Sequence, residues 1–246
     1  MDQVLGYAWF AAGLGAITVA TMAIAWRFDI GLGWFPLWAL VRSGAQLTVV
    51  ALLLRGILAA PATVAAFVVL MACTASGTAA HRLQDLWHGR RAAVAGVLAG
   101  ASTSMVAIFG LGLVDLQVRY VVAVGGIIIG NAMSAATLSG RNFLRTAQSR
   151  SAEIEAWLAL GATSARAHEA VAQESVRESV LPSLDQTKST GLVTLPGAFV
   201  GALFGGASPA EAARFQLVVL AGVALAMLVT GVIATRVLGR TPFVSG

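Results

Sequence analysis

The sequence predicts an all-α, polytopic membrane bundle with seven transmembrane helices. Three observations carry this reading. The 246 residues are 58% hydrophobic and only 11% charged, with a mean hydropathy of +0.82, a balance that no soluble surface accommodates. Six stretches free of Asp, Glu, Lys, Arg and His (4–26, 56–80, 92–114, 120–140, 189–210 and 215–235) are each long enough to match the roughly 20 residues a helix needs to cross hydrocarbon. Charge is gathered into the segments between them. The one cysteine, Cys73, lies in an apolar run, which excludes an internal disulfide or a cysteine-built metal site.

The first stretch follows Asp2 rather than a basic n-region, so it is expected to be a retained helix and not a cleavable signal. The seventh span must lie between Asp29 and Arg55, where Arg42 divides the apolar run. Either one long tilted helix carries Arg42 near its middle, or a short interfacial helix at 30–38 turns into a span starting near Arg42. The second is preferred, because a central arginine is costly whereas one near the interface can snorkel.

Basic residues choose the orientation. With the N-terminus outside, the inner segments hold twelve Lys and Arg and the outer segments three, with Arg42 set aside. The expected topology is N-terminus out and C-terminus in the cytoplasm, in the inner (plasma) membrane. The same asymmetry accounts for a sequence pI near 10.6 without nucleic acid as a partner.

Glycines four apart share a helix face and let backbones approach. Gly96 and Gly100, Gly126 and Gly130, and Gly197, Gly201 and Gly205 are therefore read as packing stripes, with Pro196 kinking the helix that carries the last three. The segment 141–188, much the longest between spans, repeats apolar residues at helical intervals (Ile154, Trp157, Leu158, Ala165, Ala172, Val176, Val180) opposite a polar side. It is expected to form a cytoplasmic amphipathic helix pair, with Gly161 breaking the first helix and Pro182 following the end of the second. The chain, 1–246, is read as one transmembrane domain that includes this segment. A helix pair lying on the membrane surface is the plainer alternative.

Glu155, Ala156, Leu160 and Gly161, followed by Leu181-Pro182, resemble the EAA loop of ABC permeases, although Gly161 lies further from Leu181 than in the usual importer pattern. A wider resemblance runs through Arg42 with Gln46, Gly130-Asn131-Ala132-Met133, Gly191 to Gly197, and Gly205 to Ala212 with Gln216. These look like the FetB family of ABC permeases and cover nearly the whole chain. Ala198 and Phe199 stand where that family commonly carries two methionines. The resemblance implies a homodimeric permease whose 141–188 segment docks a cytoplasmic ABC ATPase subunit. It also implies export of a metal ion such as iron, with ATP and Mg held on the partner ATPase and no cofactor in this chain. Plant relatives in the family are associated with aluminium tolerance.

The residues themselves set further bounds. No G-x-x-x-x-G-K-[ST] loop occurs, so any ATP is hydrolysed on another chain. His81, His88 and His168 fall outside the predicted spans, which leaves no intramembrane Ser–His pair and argues against an enzyme. Every Asp and Glu also falls outside them, which argues against an ion-coupled secondary transporter. Gln46, Asn131, Met133, Ser134 and Thr194 are the polar or soft groups expected to line an inward-facing substrate path for a metal ion or small solute; they could equally bond across helices. An organic or nucleotide-sugar solute is the alternative cargo.

Overall fold

The computed structural model describes residues 2–57 and 61–241, which form ten helices and no named strand among the described residues. Two compact units divide the chain, 1–60 and 61–246. The first holds α1 (Asp2–Arg27) and α2 (Phe35–Ile57). Between them Asp29, Gly31 and Gly33 all take positive φ (56°, 72° and 50°), which no helix permits, so the expected interfacial helix at 30–38 does not form. Pro36 instead opens α2, at a position where its missing N–H costs nothing. Arg42 sits two turns into α2, and its side chain is exposed.

The second unit is built from α3 (Pro61–Arg82), α4 (Gly89–Gly110), α5 (Val118–Ser149), α6 (Ser151–Ala159), α7 (Ser164–Ala167), α8 (Glu169–Ser189), α9 (Gly197–Phe204) and α10 (Pro209–Leu238). The start of the stretch 56–80 lies partly outside the described residues. Small side chains fill the core: Ala79, Ala93, Ala132, Ala135, Ala136 and Ala226 are fully buried, beside Val97, Val124 and Ile128. The α4 glycines explain why these helices come so close. A Cβ on Gly96 would reach 2.9 Å from the Thr230 carbonyl, and one on Gly100 would collide with the Thr230 hydroxyl and the Ala226 carbonyl. Further along, the buried Ser104 Oγ donates to the Gly222 carbonyl at 2.8 Å.

These contacts fix directions. Gly96 meets Ala234 and Ser104 meets Gly222, so α4 runs antiparallel to α10; Gly222 faces Ile128 and Gly231 faces Ser139, so α5 runs parallel to it. Met71 faces Gly126 and Leu83 faces Gly140, so α3 is parallel to α5. Since α5 ends where α10 ends, the chain from 150 to 208 must return along the whole bundle.

That return is where the structure departs most from the sequence reading. Stretch 189–210 is not a continuous helix. Gly191 has φ +101°, its N–H donates to the Thr194 carbonyl at 2.8 Å, and Pro196 caps an eight-residue α9. At 1.5 Å per residue α9 covers only about 12 Å. Most of the return is made by α8, whose Val176 packs on Gly231 and whose Leu184 shares a groove with Leu228. Nor does α8 stop at Pro182, which lies inside it. Buried Val176, Ser179 and Val180 hold the helix against the bundle and offset the roughly 3 kcal/mol an internal proline costs. Among the described residues six helices are long and apolar enough to cross a membrane: α1 to α5 and α10. The last opens with a capping box, Ser208 Oγ accepting from the Glu211 N–H while Glu211 Oε2 accepts from the Ser208 N–H at 2.9 Å.

Candidate coupling surface and polar path

Beyond Gly140 the helices continue into a second, smaller core. Phe143 and Ala147 of α5, Ile154 of α6, Ala167 and Val171 of α7 and α8, and Ala234 and Leu238 of α10 are buried together. Ile154, 1% exposed, is the one buried side chain of α6, so the remaining faces of that short helix are free to meet something else. Arg150, at the junction of α5 and α6, reaches Glu153 at 2.8 Å and Glu174 of α8 at 3.0 Å. It thereby ties α6 to α8.

His168 locks the other side. It is 1% exposed, its ring stacks on Phe143 with centroids 5.7 Å apart, and its Nδ1 donates to the Ser164 carbonyl at 2.9 Å. Ser164 Oγ in turn donates to the Gly239 carbonyl at 3.1 Å and to that of Thr241, joining α7 to the end of α10. The sequence reading placed His168 merely outside the spans. Its helical register with Ala172, Ser175 and Ser179 on the buried side of α8 was the signal that it is a core residue.

On this anchored frame Glu155, Ala156, Leu160 and Gly161 all lie exposed, Leu160 at 82%. Gly161 has φ +85°, the left-handed turn that ends α6 and that an L side chain enters only under strain. Trp157 is 42% exposed, and Arg166 lies over its ring at 5.9 Å while pairing with Glu169. Exposed Trp and Leu beside carboxylates, on a rigid base, make a surface suited to docking a protein. α8 is held to the bundle where Ser139 Oγ donates to Ser179 Oγ at 2.9 Å and Val176 packs on Gly231.

The residues expected to line a path are placed as follows. Asn131, Met133 and Ser134 stand together on α5. Asn131 Nδ2 donates to the Ile127 carbonyl at 2.8 Å and Ser134 Oγ to that of Gly130 at 3.1 Å, both half-buried, while Met133 packs partly against the core. Thr194 lies in the break before α9, its Oγ1 buried without a partner. Gln46 is exposed on α2 in the first unit. Within a single copy of the chain, Gly197, Gly201 and Gly205 pack against no other helix: a Cβ on either of the first two would meet nothing within 4 Å, and one on Gly205 only its own helix. Gln216 was missed. It is 5% exposed on α10 with Oε1 unpartnered, and a lone Gln two residues past Arg214 in an apolar run was the available signal. Among the described residues no three His, Cys, Asp or Glu side chains gather as metal ligands.

Long apolar helices, a small-residue core and a polar module at one end define a multi-pass helical membrane protein. The chain belongs to the uncharacterised protein family UPF0014, whose pattern matches residues 9–243. It is 32% identical over 228 residues to the "UPF0014 membrane protein STAR2" of Oryza sativa subsp. japonica, covering 90% of this chain and 79% of that protein. It is 29% identical to the "Protein ALUMINUM SENSITIVE 3" of Arabidopsis thaliana, over 85% of this chain and 77% of that one. To the "Probable iron export permease protein FetB" of Escherichia coli it is 28% identical, over 82% and 79%. No solved structure matches the chain.

Proposed function

We propose that this chain is the membrane-spanning permease subunit of an ABC transporter, that it works as a homodimer, and that it exports a metal ion such as iron. The observation that carries the reading is the anchored α6–α7 turn, whose exposed Trp157, Leu160 and left-handed Gly161 have no role in the chain's own core. The printed name of the Escherichia coli relative supports permease and iron. ATP and Mg belong on the partner ATPase, and the module at α6–α7 delivers its closure to α5 and α10. The basic asymmetry supports an orientation that puts this module in the cytoplasm.

Within the second unit the substrate path runs past Asn131, Met133, Ser134 and Thr194. Neutral oxygens and one thioether hold a metal weakly, which suits a site that must release its ion on each cycle. Replacing Asn131 with Leu is expected to cut metal-stimulated ATPase activity several-fold while leaving assembly unchanged. The test is co-purification of the full chain with an ABC ATPase, followed by transport in proteoliposomes comparing iron, other metals and an organic solute. Capture of an ATPase with ATP-dependent movement of the organic solute alone would keep the permease and remove the metal; no ATPase association would remove both.

A further inference from the structure

Past its first turn, α8 carries its charge on one side. Glu174, Arg177, Glu178, Asp185 and Lys188 fall within an arc of about 100° at 100° per residue, all exposed, while Ser175, Val176, Ser179 and Val180 are buried outside that arc. Arg150 ties the start of the stripe to the end of α5, and the stripe ends just before the break at 190–196.

The depth of that stripe follows from its neighbours. The uncharged stretches of α4, α5 and α10 stop at Arg91, Arg141 and Arg236, and these ends pack level with one another: Gly96 meets Thr230 and Ala234, Ser139 meets Gly231, and Gly140 meets Leu83. A hydrocarbon layer about 30 Å thick that covers those stretches must begin there. Ser179 bonds to Ser139 and Val176 packs on Gly231, so α8 passes this boundary and runs on inward. Counting 1.5 Å per residue places Asp185 roughly 10–20 Å inside, at about the depth of Asn131 on the neighbouring α5.

Exposed charges at that depth cannot face lipid tails at a tolerable cost. Asp185 and Lys188 do pair at 3.0 Å, yet their side chains stay 64% and 78% exposed. We propose that the charged face of α8 lines a water-filled vestibule that enters from the α6–α7 end and reaches the middle of the bilayer, and that the transported solute travels along it as a hydrated ion. Beyond the break α9 is wholly apolar, which closes the vestibule. The water-filled face stands on depth and charge alone; the travelling ion rests on the permease reading.

The test replaces Cys73 with Ser and places single cysteines at Asp185, Lys188 and, as a lipid-facing control, Val106, which is 72% exposed on α4. The full chain in liposomes is treated with a membrane-impermeant thiol reagent from the side of the α6–α7 module. D185C and K188C are expected to react at least about tenfold faster than V106C. Hydroxyl-radical footprinting of the unsubstituted chain provides the second readout, with Leu181 and Leu184 oxidised well above Val106. Labelling and footprinting both at the level of Val106, whether lipid or a second copy covers the face, would overturn the vestibule. Rapid labelling without ATP-dependent transport would leave the vestibule standing and remove the permease reading.

Discussion

α4 and α8 are nearly the same length, 22 and 21 residues, and both lie antiparallel against α10. Each presents small or β-branched residues to that partner. Their outer surfaces differ: past Arg91, α4 shows Val94, Leu98 and Val106, whereas α8 shows Glu174, Glu178, Asp185 and Lys188 beside Leu184. The inner face of a membrane helix therefore reports its protein neighbour, and the outer face reports its solvent. Hydropathy reads only the second.

The comparison can be broken first at its tightest contact. Gly100→Leu forces a side chain into the Thr230 hydroxyl and the Ala226 carbonyl, and overpacking of this kind costs about 3 kcal/mol. Gly197→Leu on α9, where a Cβ meets nothing within 4 Å, is expected to be close to neutral. Thermal unfolding in detergent should separate the two clearly; equal losses would mean that α4 and α10 are not held by close approach.

Next in size is the turn after α6. Gly161→Ala meets no neighbour but must hold φ +85°, a strain of about 1–2 kcal/mol, and it should weaken ATPase association and transport several-fold while lowering the stability of the fold by no more than that strain. Gly161→Asn, which tolerates the left-handed region better, should recover most of the loss. An Ala variant with normal association would reduce α6–α7 to a surface ornament.

The smallest effect sharpens the comparison at α8 itself. A double-mutant cycle on Ser139→Ala and Ser179→Ala, whose hydroxyls bond at 2.9 Å, should give a coupling of about 0.6 kcal/mol, the usual size for such bonds between membrane helices. A coupling of zero would detach α8 from α5 and move the charged stripe out of the bundle.

How far the sequence could be read depended on the same distinction. Stretches 92–114, 120–140 and 215–235 were legible because α4, α5 and α10 bury apolar groups on one side and show apolar groups on the other. Stretch 189–210 was just as apolar, yet Gly191 and Pro196 break it, and local turn chemistry overrode composition. α8 was legible in part: Val176 and Val180 stood out at helical intervals, whereas the buried Ser175 and Ser179 between them did not, and neither did the packing of this helix along α5 and α10. Glycine spacing alone does not say which pairs pack within the chain. Gly96 and Gly100 repeat at the same interval as Gly197 and Gly201, but only the first pair has a partner helix close enough to need them. The residues proposed for coupling stood out as a motif from Glu155 to Gly161; the anchoring of their turn by His168 and Arg150 did not, since it depends on contacts with α5 and α10 far along the chain.

The most direct test of the account measures what drives transport. In proteoliposomes holding this chain and the proposed ABC ATPase partner, with the α6–α7 module facing the added nucleotide, iron should accumulate inside only when ATP and Mg are supplied, and Gly161→Ala should slow that accumulation several-fold. Accumulation that ignores ATP and follows an imposed proton or sodium gradient would contradict the account, because it would make Asp185 part of an ion-coupled carrier and leave the α6–α7 surface without a partner.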